Sequence, residues 1–252
     1  LLPVQKPFTQ MRSLEVPYSV SADHDGEEGY FSYSVGIEPE DAVECFGLDI
    51  LEYLLLEAQG APLKKALVES GLGKDIFGDV STRARQGDFT IVAKGVDTKR
   101  KSEFLNVIHD TLQSLADQGL NERLKLAAMN RLEFRLREAE YGTTPQGLVV
   151  CYQFVMNSWL YGKDPFQYLR FDSILSAIRE ESQKGFFENL IRKYLLDNPF
   201  AVSVTLRPEV DLAAREDQRL AQTLQEYKKS LNGQQIEELV RTTRQLMDYQ
   251  GQ

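Results

Sequence analysis

Residues 48–73, LDILEYLLLEAQGAPLKKALVESGLG, and residues 89–96, FTIVAKGV, decide the fold. The first stretch reads as an apolar helix broken at Gly60-Ala61-Pro62-Leu63, then a short helix closed by Gly71-Leu72-Gly73. The second reads as a strand, because Phe89, Ile91 and Ala93 alternate with Thr90, Val92 and Lys94, a period of two. One face of this strand is apolar and the other only partly polar. That is the pattern of a sheet covered by helices mainly on one side.

Upstream, residues 1–17 carry three prolines and no periodicity, and predict an extended entry segment with a strand near Leu14 to Val16. Residues 21–29 are acidic and loop-like and contain His24. Tyr30, Ser32 and Ser34 alternate with Phe31, Tyr33 and Val35, which predicts a strand to Ile37. Pro39, Glu40 and Asp41 suit the first turn of a helix that runs to about Leu56 and buries Val43, Phe46, Ile50 and Leu54. Pro62 opens a second helix carrying Leu63, Ala66 and Leu67, and Gly71 supplies its left-handed end. Residues 73–88 mix loop and strand character.

Downstream, Asp97 caps a helix to Gln118 with Phe104, Ile108, Leu112 and Leu115 inward, and Gly119 ends it. Asn121 caps the next, on which Leu124, Ala128, Leu132 and Leu136 recur every four residues. A helix over 144–161 should turn Leu148, Tyr152, Met156 and Trp159 or Leu160 inward, and another should start at Asp164-Pro165 and reach Ser182. Residues 186–195 form a short amphipathic helix. Phe200, Val202, Val204 and Leu206 then alternate with Ala201, Ser203 and Thr205 as a strand. After Pro208 the chain is rich in Glu, Gln, Arg and Leu. Its two apolar stripes, Leu212 to Leu231 and Ile236 to Leu246, flank Asn232-Gly233 and predict a helical hairpin with a narrow seam. The expected organisation is an entry segment (1–17), an α+β two-layer domain with a mostly antiparallel sheet (18–208) and an α-helical hairpin connector (209–252).

The totals narrow the chemistry. The chain has 252 residues, 42% of them hydrophobic, enough for a sizeable core. It contains no apolar run long enough for a membrane helix. A soluble protein of the cytoplasm or an organelle matrix is expected, with the compartment itself left open. The start, Leu1-Leu2-Pro3-Val4, lacks both Met and a secretion-signal pattern, and reads as cut from something longer. A net charge of −9 repels a phosphate backbone, which argues against nucleic acid and favours basic partners. Cys45 and Cys151 read as buried free thiols in a reducing compartment, with a disulfide left open.

A zinc site needs three or four converging ligands. The chain has two histidines, His24 and His109, in different segments, and neither His-Glu-x-x-His nor His-x-x-Glu-His. No Gly-x-Ser-x-Gly elbow occurs, and the glycines at 71, 73 and 78 are not followed by the Lys-Ser or Lys-Thr of a phosphate loop. Asp23, Asp25, Glu27 and Glu28 read as loop charges and Lys99-Arg100-Lys101 as a solvated face. The aromatic cluster Tyr152, Trp159, Tyr161 and Phe166 has two readings: core packing, or the lining of a chamber that grips extended peptides.

Several motifs carry a resemblance. Leu54-Leu55-Leu56 leading into residues 60–73, then residues 89–96, Gly119-Leu120-Asn121 and Asn130-Arg131-Leu132-Glu133-Phe134 occur in an order similar to that of inverzincin, or pitrilysin/insulinase-type, peptidase domains. Trp159 to Pro165 (WLYGKDP), Tyr194 to Pro199 (YLLDNP) and Thr205-Leu206-Arg207-Pro208 resemble the presequence protease branch, which includes falcilysin-like enzymes. The resemblance covers nearly the whole chain from about Leu14. It implies a LuxS/metallohydrolase-like fold and a place as the second, non-catalytic domain, plus the connecting hairpin, of a zinc oligopeptidase. In such an enzyme four homologous domains close around unstructured peptides, and zinc sits in the first domain. The expected partners are then the remaining domains of the same polypeptide and peptide substrates, basic ones by charge. No catalytic, cofactor or metal residue is expected in this chain. The alternatives are a structural subunit or a peptide-binding module derived from the same fold.

Overall fold

The computed structural model describes residues 3–21, 28–139 and 141–251. His24, Asp23, Asp25 and Glu27 lie outside the described residues. Five strands form one sheet: β1 (Arg12–Val20), β2 (Glu28–Ile37), β3 (Asp75–Ser81), β4 (Gly87–Asp97) and β5 (Ala201–Val210), in the order β1-β5-β2-β4-β3. β2 runs antiparallel to both β4 and β5, and β3 antiparallel to β4. The register places Phe31 opposite Ala93 and Thr205, Tyr33 opposite Ile91 and Ser203, and Val35 opposite Phe89 and Ala201. Directly opposed residues share a face, so these positions make one surface, and apart from the half-buried Tyr33 all of them are buried. On the other surface Thr90, Val92, Val202 and Val204 remain partly exposed and Lys94 is exposed. The period-two reading of β4 therefore holds. In β5 the apolar members Val202 and Val204 face the open side, and small Ala201, Ser203 and Thr205 take the covered side beside Phe31 and Val35.

The covering layer begins with α1 (Ala42–Glu52), capped by Asp41, whose carboxylate accepts from the Glu44 amide. It continues as a π-helical turn, Tyr53–Glu57, whose Leu54, Leu55 and Leu56 are all buried. α2 (Pro62–Glu69) follows. Residues 98–100 make a 3₁₀ turn before α3 (Lys101–Gln118). The basic run is more than a solvated face here, because Arg100 donates to the carbonyls of Ser70 and Gly71 at 2.9 Å and so closes the C-terminus of α2. α3 ends at Gly119 with φ of 86°, and Asn121 caps α4 (Glu122–Glu138). On these helices Phe104, Ile108, Leu112, Ala128 and Leu132 are buried as the spacing predicts, and Leu115 is half-buried.

Three places depart from the sequence expectation. Residues 75–81 are wholly strand. The segment after Asp164 first forms a 3₁₀ turn, Gln167–Leu169, and only then α7 (Phe171–Ser182), after α5 (Gln146–Val150), a π turn (Cys151–Val155) and α6 (Met156–Trp159). Asp164 accepts from the Phe166 amide at 2.9 Å and pairs with Arg170 at 2.6 Å, which stabilises this tight corner against an earlier helix start. α8 (Phe186–Leu190) runs on as a third π turn, Ile191–Leu196.

The described residues divide into two units, 3–16 with 28–207, and 17–21 with 208–251. The second unit carries α9 (Leu212–Ser230) and α10 (Gly233–Gln250), and Asn232 and Gln235 form a reciprocal capping box at the turn. The two-helix prediction holds, but the expected seam is not buried: neither helix has a buried residue, and Leu220, Leu224, Tyr227, Leu239 and Leu246 are exposed.

Candidate functional site

The segment α5–π turn–α6 carries Tyr152 and Trp159 of the aromatic cluster singled out from the sequence, and Tyr161 follows in the turn after it. The inward side of the segment is Val149, Phe154 and Ser158. The step from 149 to 154 is five residues, the signature of the π turn, which shifts the buried stripe away from the sequence-predicted one. Leu148, Tyr152, Met156, Trp159 and Leu160 therefore point outward, and the core-packing reading of the aromatic cluster is corrected. Tyr152 is 69% exposed, Trp159 66% and Tyr161 40%, with Phe166 also exposed. No ring-on-ring contact joins Tyr152, Trp159 and Tyr161 among the described residues.

The helix end that presents Trp159 and Tyr161 is well fixed. Gly162 adopts φ of 73°, and the Lys163 amide donates to the Ser158 carbonyl at 3.0 Å, a left-handed closure that needs glycine. The Ser158 hydroxyl, fully buried, accepts from Gln167 at 2.8 Å and ties the turn to the next element. The result is an exposed apolar and aromatic face on a rigid base. Faces of this kind mark binding surfaces more often than bare surface.

No cluster of three or more His, Cys, Asp or Glu that could hold a metal occurs among the described residues. His109 lies on the exposed side of α3, 3.5 Å from Asp110. Both cysteines are free, Cys45 buried and Cys151 exposed, so the expectation of two buried thiols is wrong for Cys151. The outward turn of the α5–α6 stripe exposes it. Cys45 Sγ sits 3.4 Å from the Tyr168 hydroxyl, and burial pushes its thiol up, away from nucleophilic use. No helix is long and apolar enough to cross a membrane among the described residues. The sequence reading did not single out Glu52, a buried acid whose only signal is its place inside the apolar run 48–56.

Residues 41–132 match the peptidase M16 inactive domain. Over 98% of its length the chain is 34% identical to Protein HypA of Clostridium perfringens, and over 96% it is 31% identical to presequence protease 1, chloroplastic/mitochondrial, of Arabidopsis thaliana. It covers 25% and 23% of those proteins, about a quarter of their length. The solved peptidase M16 inactive domain from Pseudomonas fluorescens superposes with a TM-score of 0.57 at 15% identity, covering 83% of this chain and 46% of that one, which establishes the shared fold. The helix-covered sheet and these relatives converge: residues 41–132 form a domain of the peptidase M16 inactive type, in a chain that is similar over nearly its whole length to a stretch of the presequence proteases.

Proposed function

We propose that this domain is one wall of a closed chamber in a zinc-dependent oligopeptidase, and that the zinc belongs to another domain of the same polypeptide. The face bearing Tyr152, Trp159 and Tyr161 grips extended, unstructured peptides, and residues 209–252 connect the two halves of the enzyme. The observation that carries this reading is the exposed aromatic face on a domain of the inactive type. Aromatic rings grip peptides of varied sequence through area and shape. The net charge of −9 favours basic peptides among them.

The test has two arms. The purified chain should carry no stoichiometric zinc and cleave no peptide, and tight zinc with turnover would overturn the assignment. In the full-length protein, replacing Tyr152 and Trp159 together by Ala should raise KM for unstructured peptides several-fold with the zinc content unchanged. An unchanged KM would remove these residues from the peptide path. A structural subunit without peptidase activity is the competing reading, and the full open reading frame decides it: an intact His-x-x-Glu-His motif supports the peptidase, a degenerate one the scaffold.

A further inference from the structure

A cleft of about 360 Å3 opens between α1 with its π turn, β3 and α4, with Gln153 of the second π turn also on its lining. Seven charged residues line it: Asp49 and Glu52 on α1, Glu57 on the π turn, Asp79 on β3, Arg83 on the loop after β3, and Arg131 and Arg135 on α4. Four of them pair off. Arg83 bonds Asp49, whose other oxygen accepts from the Thr82 hydroxyl at 3.2 Å, and Arg83 also lies over the rings of Phe46, Phe154 and Tyr168 at 5.0–5.4 Å. Arg131 pairs with Glu57 at 3.2 Å and stacks 4.0 Å over Tyr53. Asp79 and Arg135 stand exposed at the mouth.

Among the described residues that leaves Glu52 as the interior charge without an ion-pair partner, although the Nε of the paired Arg83 is also buried without a hydrogen bond. Glu52 is 9% exposed, and its Oε1 is buried with no hydrogen bond among the described residues. A buried carboxylate in that condition costs free energy unless something neutralises it. Its own surroundings do the reverse: burial first, then the charges of Glu57, Asp79 and Asp49, push its carboxyl up to about 7, with only Arg131 opposing. The backbone beside it is a π-helical turn, a feature common at functional positions.

We propose that this cleft binds a monovalent organic cation, the guanidinium or ammonium head of a basic side chain, with Glu52 as its counter-ion. The lining supplies no set of three ligands for a metal ion among the described residues. An anion would meet the unpaired acid. A planar guanidinium offers paired donors to a carboxylate and brings the missing charge. Tyr53 adds an aromatic wall that already attracts one guanidinium. This deepens the peptide-handling proposal and rests on it only for the identity of the molecule that brings the cation.

The test uses a small probe that carries the cationic head without the extended peptide that the aromatic face is proposed to grip. Nα-acetyl-L-arginine amide is titrated into the full chain by NMR, with the citrulline analogue as the neutral isostere. Saturable binding of the arginine compound is expected, with the shifts centred on Glu52, Tyr53 and Arg131. Affinity should rise about tenfold from pH 6 to pH 8 as Glu52 ionises, and Glu52→Gln should weaken it at least tenfold at pH 8. Asp79→Asn, at the exposed mouth, should move the pH profile to lower pH, a readout that stands even where Glu52→Gln does not fold. Equal binding of citrulline, a flat pH profile, an unmoved profile in Asp79→Asn, or no saturable binding at pH 8 would each overturn the proposal. Altering Trp159, which does not line the cleft, should leave this binding unchanged, so failure here is distinct from failure at the aromatic face.

Discussion

Replacing Glu52 by Gln, without any ligand, tests the electrostatics of the cleft through stability. The folded carboxyl titrates near 7 against an ordinary value of 4.5. Between those values the folded chain holds one proton that the unfolded chain has lost, so protonation favours the fold. That contribution is complete below about pH 4.5, fades as pH rises through 7 and is gone above it. A rise from 4.5 to about 7 corresponds to roughly 3 kcal/mol. Gln keeps the shape and cannot ionise. The variant should therefore be more stable than the native chain at pH 8 by up to about 3 kcal/mol, roughly 6–12 °C in Tm for a unit of this size, and close to it in stability near pH 4.5. Thermal or urea unfolding at the two pH values measures the gap directly. Carboxylates remote from Glu52 titrate in both proteins and cancel in the difference, whereas Glu57, Asp79 and Asp49 are coupled to it and make the figure an upper bound. A gap of the same size at both pH values would refute the argument, because it would mean that Glu52 is already ionised and satisfied in the fold.

Gly78 on β3 has no room for a side chain: a Cβ there would meet Leu56 and lie 2.6 Å from the Thr90 carbonyl oxygen. Gly78→Ala should cost about 1–3 kcal/mol by urea unfolding, and an unchanged midpoint would show that the strand can shift. Cys151 is exposed and Cys45 buried, so a thiol reagent should modify one cysteine in the native chain and two in denaturant, with peptide mapping placing the native adduct on Cys151. α9 and α10 carry no buried residue, whereas Phe89, Ile91 and Ala93 of β4 are buried. Amides in the two helices should exchange with solvent far faster than those of β4, and equal protection would show that the hairpin is held by contacts of its own.

Strands β2, β4 and β5 and the first four helices were legible because each signal was local. Alternation at 89–94, the Gly60 break before Pro62, Gly119 and Asn121 each act within a few residues. The aromatic stripe at 148–160 was legible as a stripe and misread as core. Its period states that Leu148, Tyr152, Met156 and Trp159 lie together, and nothing in it states which way they face. Burying Phe154 and Ser158 instead requires the π turn and the neighbour that Ser158 meets through Gln167. Arg100 likewise reads as one of three basic residues until α2 brings the carbonyls of Ser70 and Gly71 to it.

Two histidines in separate segments and the missing His-Glu-x-x-His and His-x-x-Glu-His motifs set, from the sequence by itself, the expectation that zinc is held outside this chain. Element order, caps and the covered face of β4 were likewise decided by spacing along the chain. Which apolar stripe of α5–α6 meets solvent was decided by the π turn and the Ser158–Gln167 tie, and Asp79 came beside Glu52 only when β3 packed against α1. Exposure and charge environment depend on partners distant in sequence, and periodicity carries no information about them.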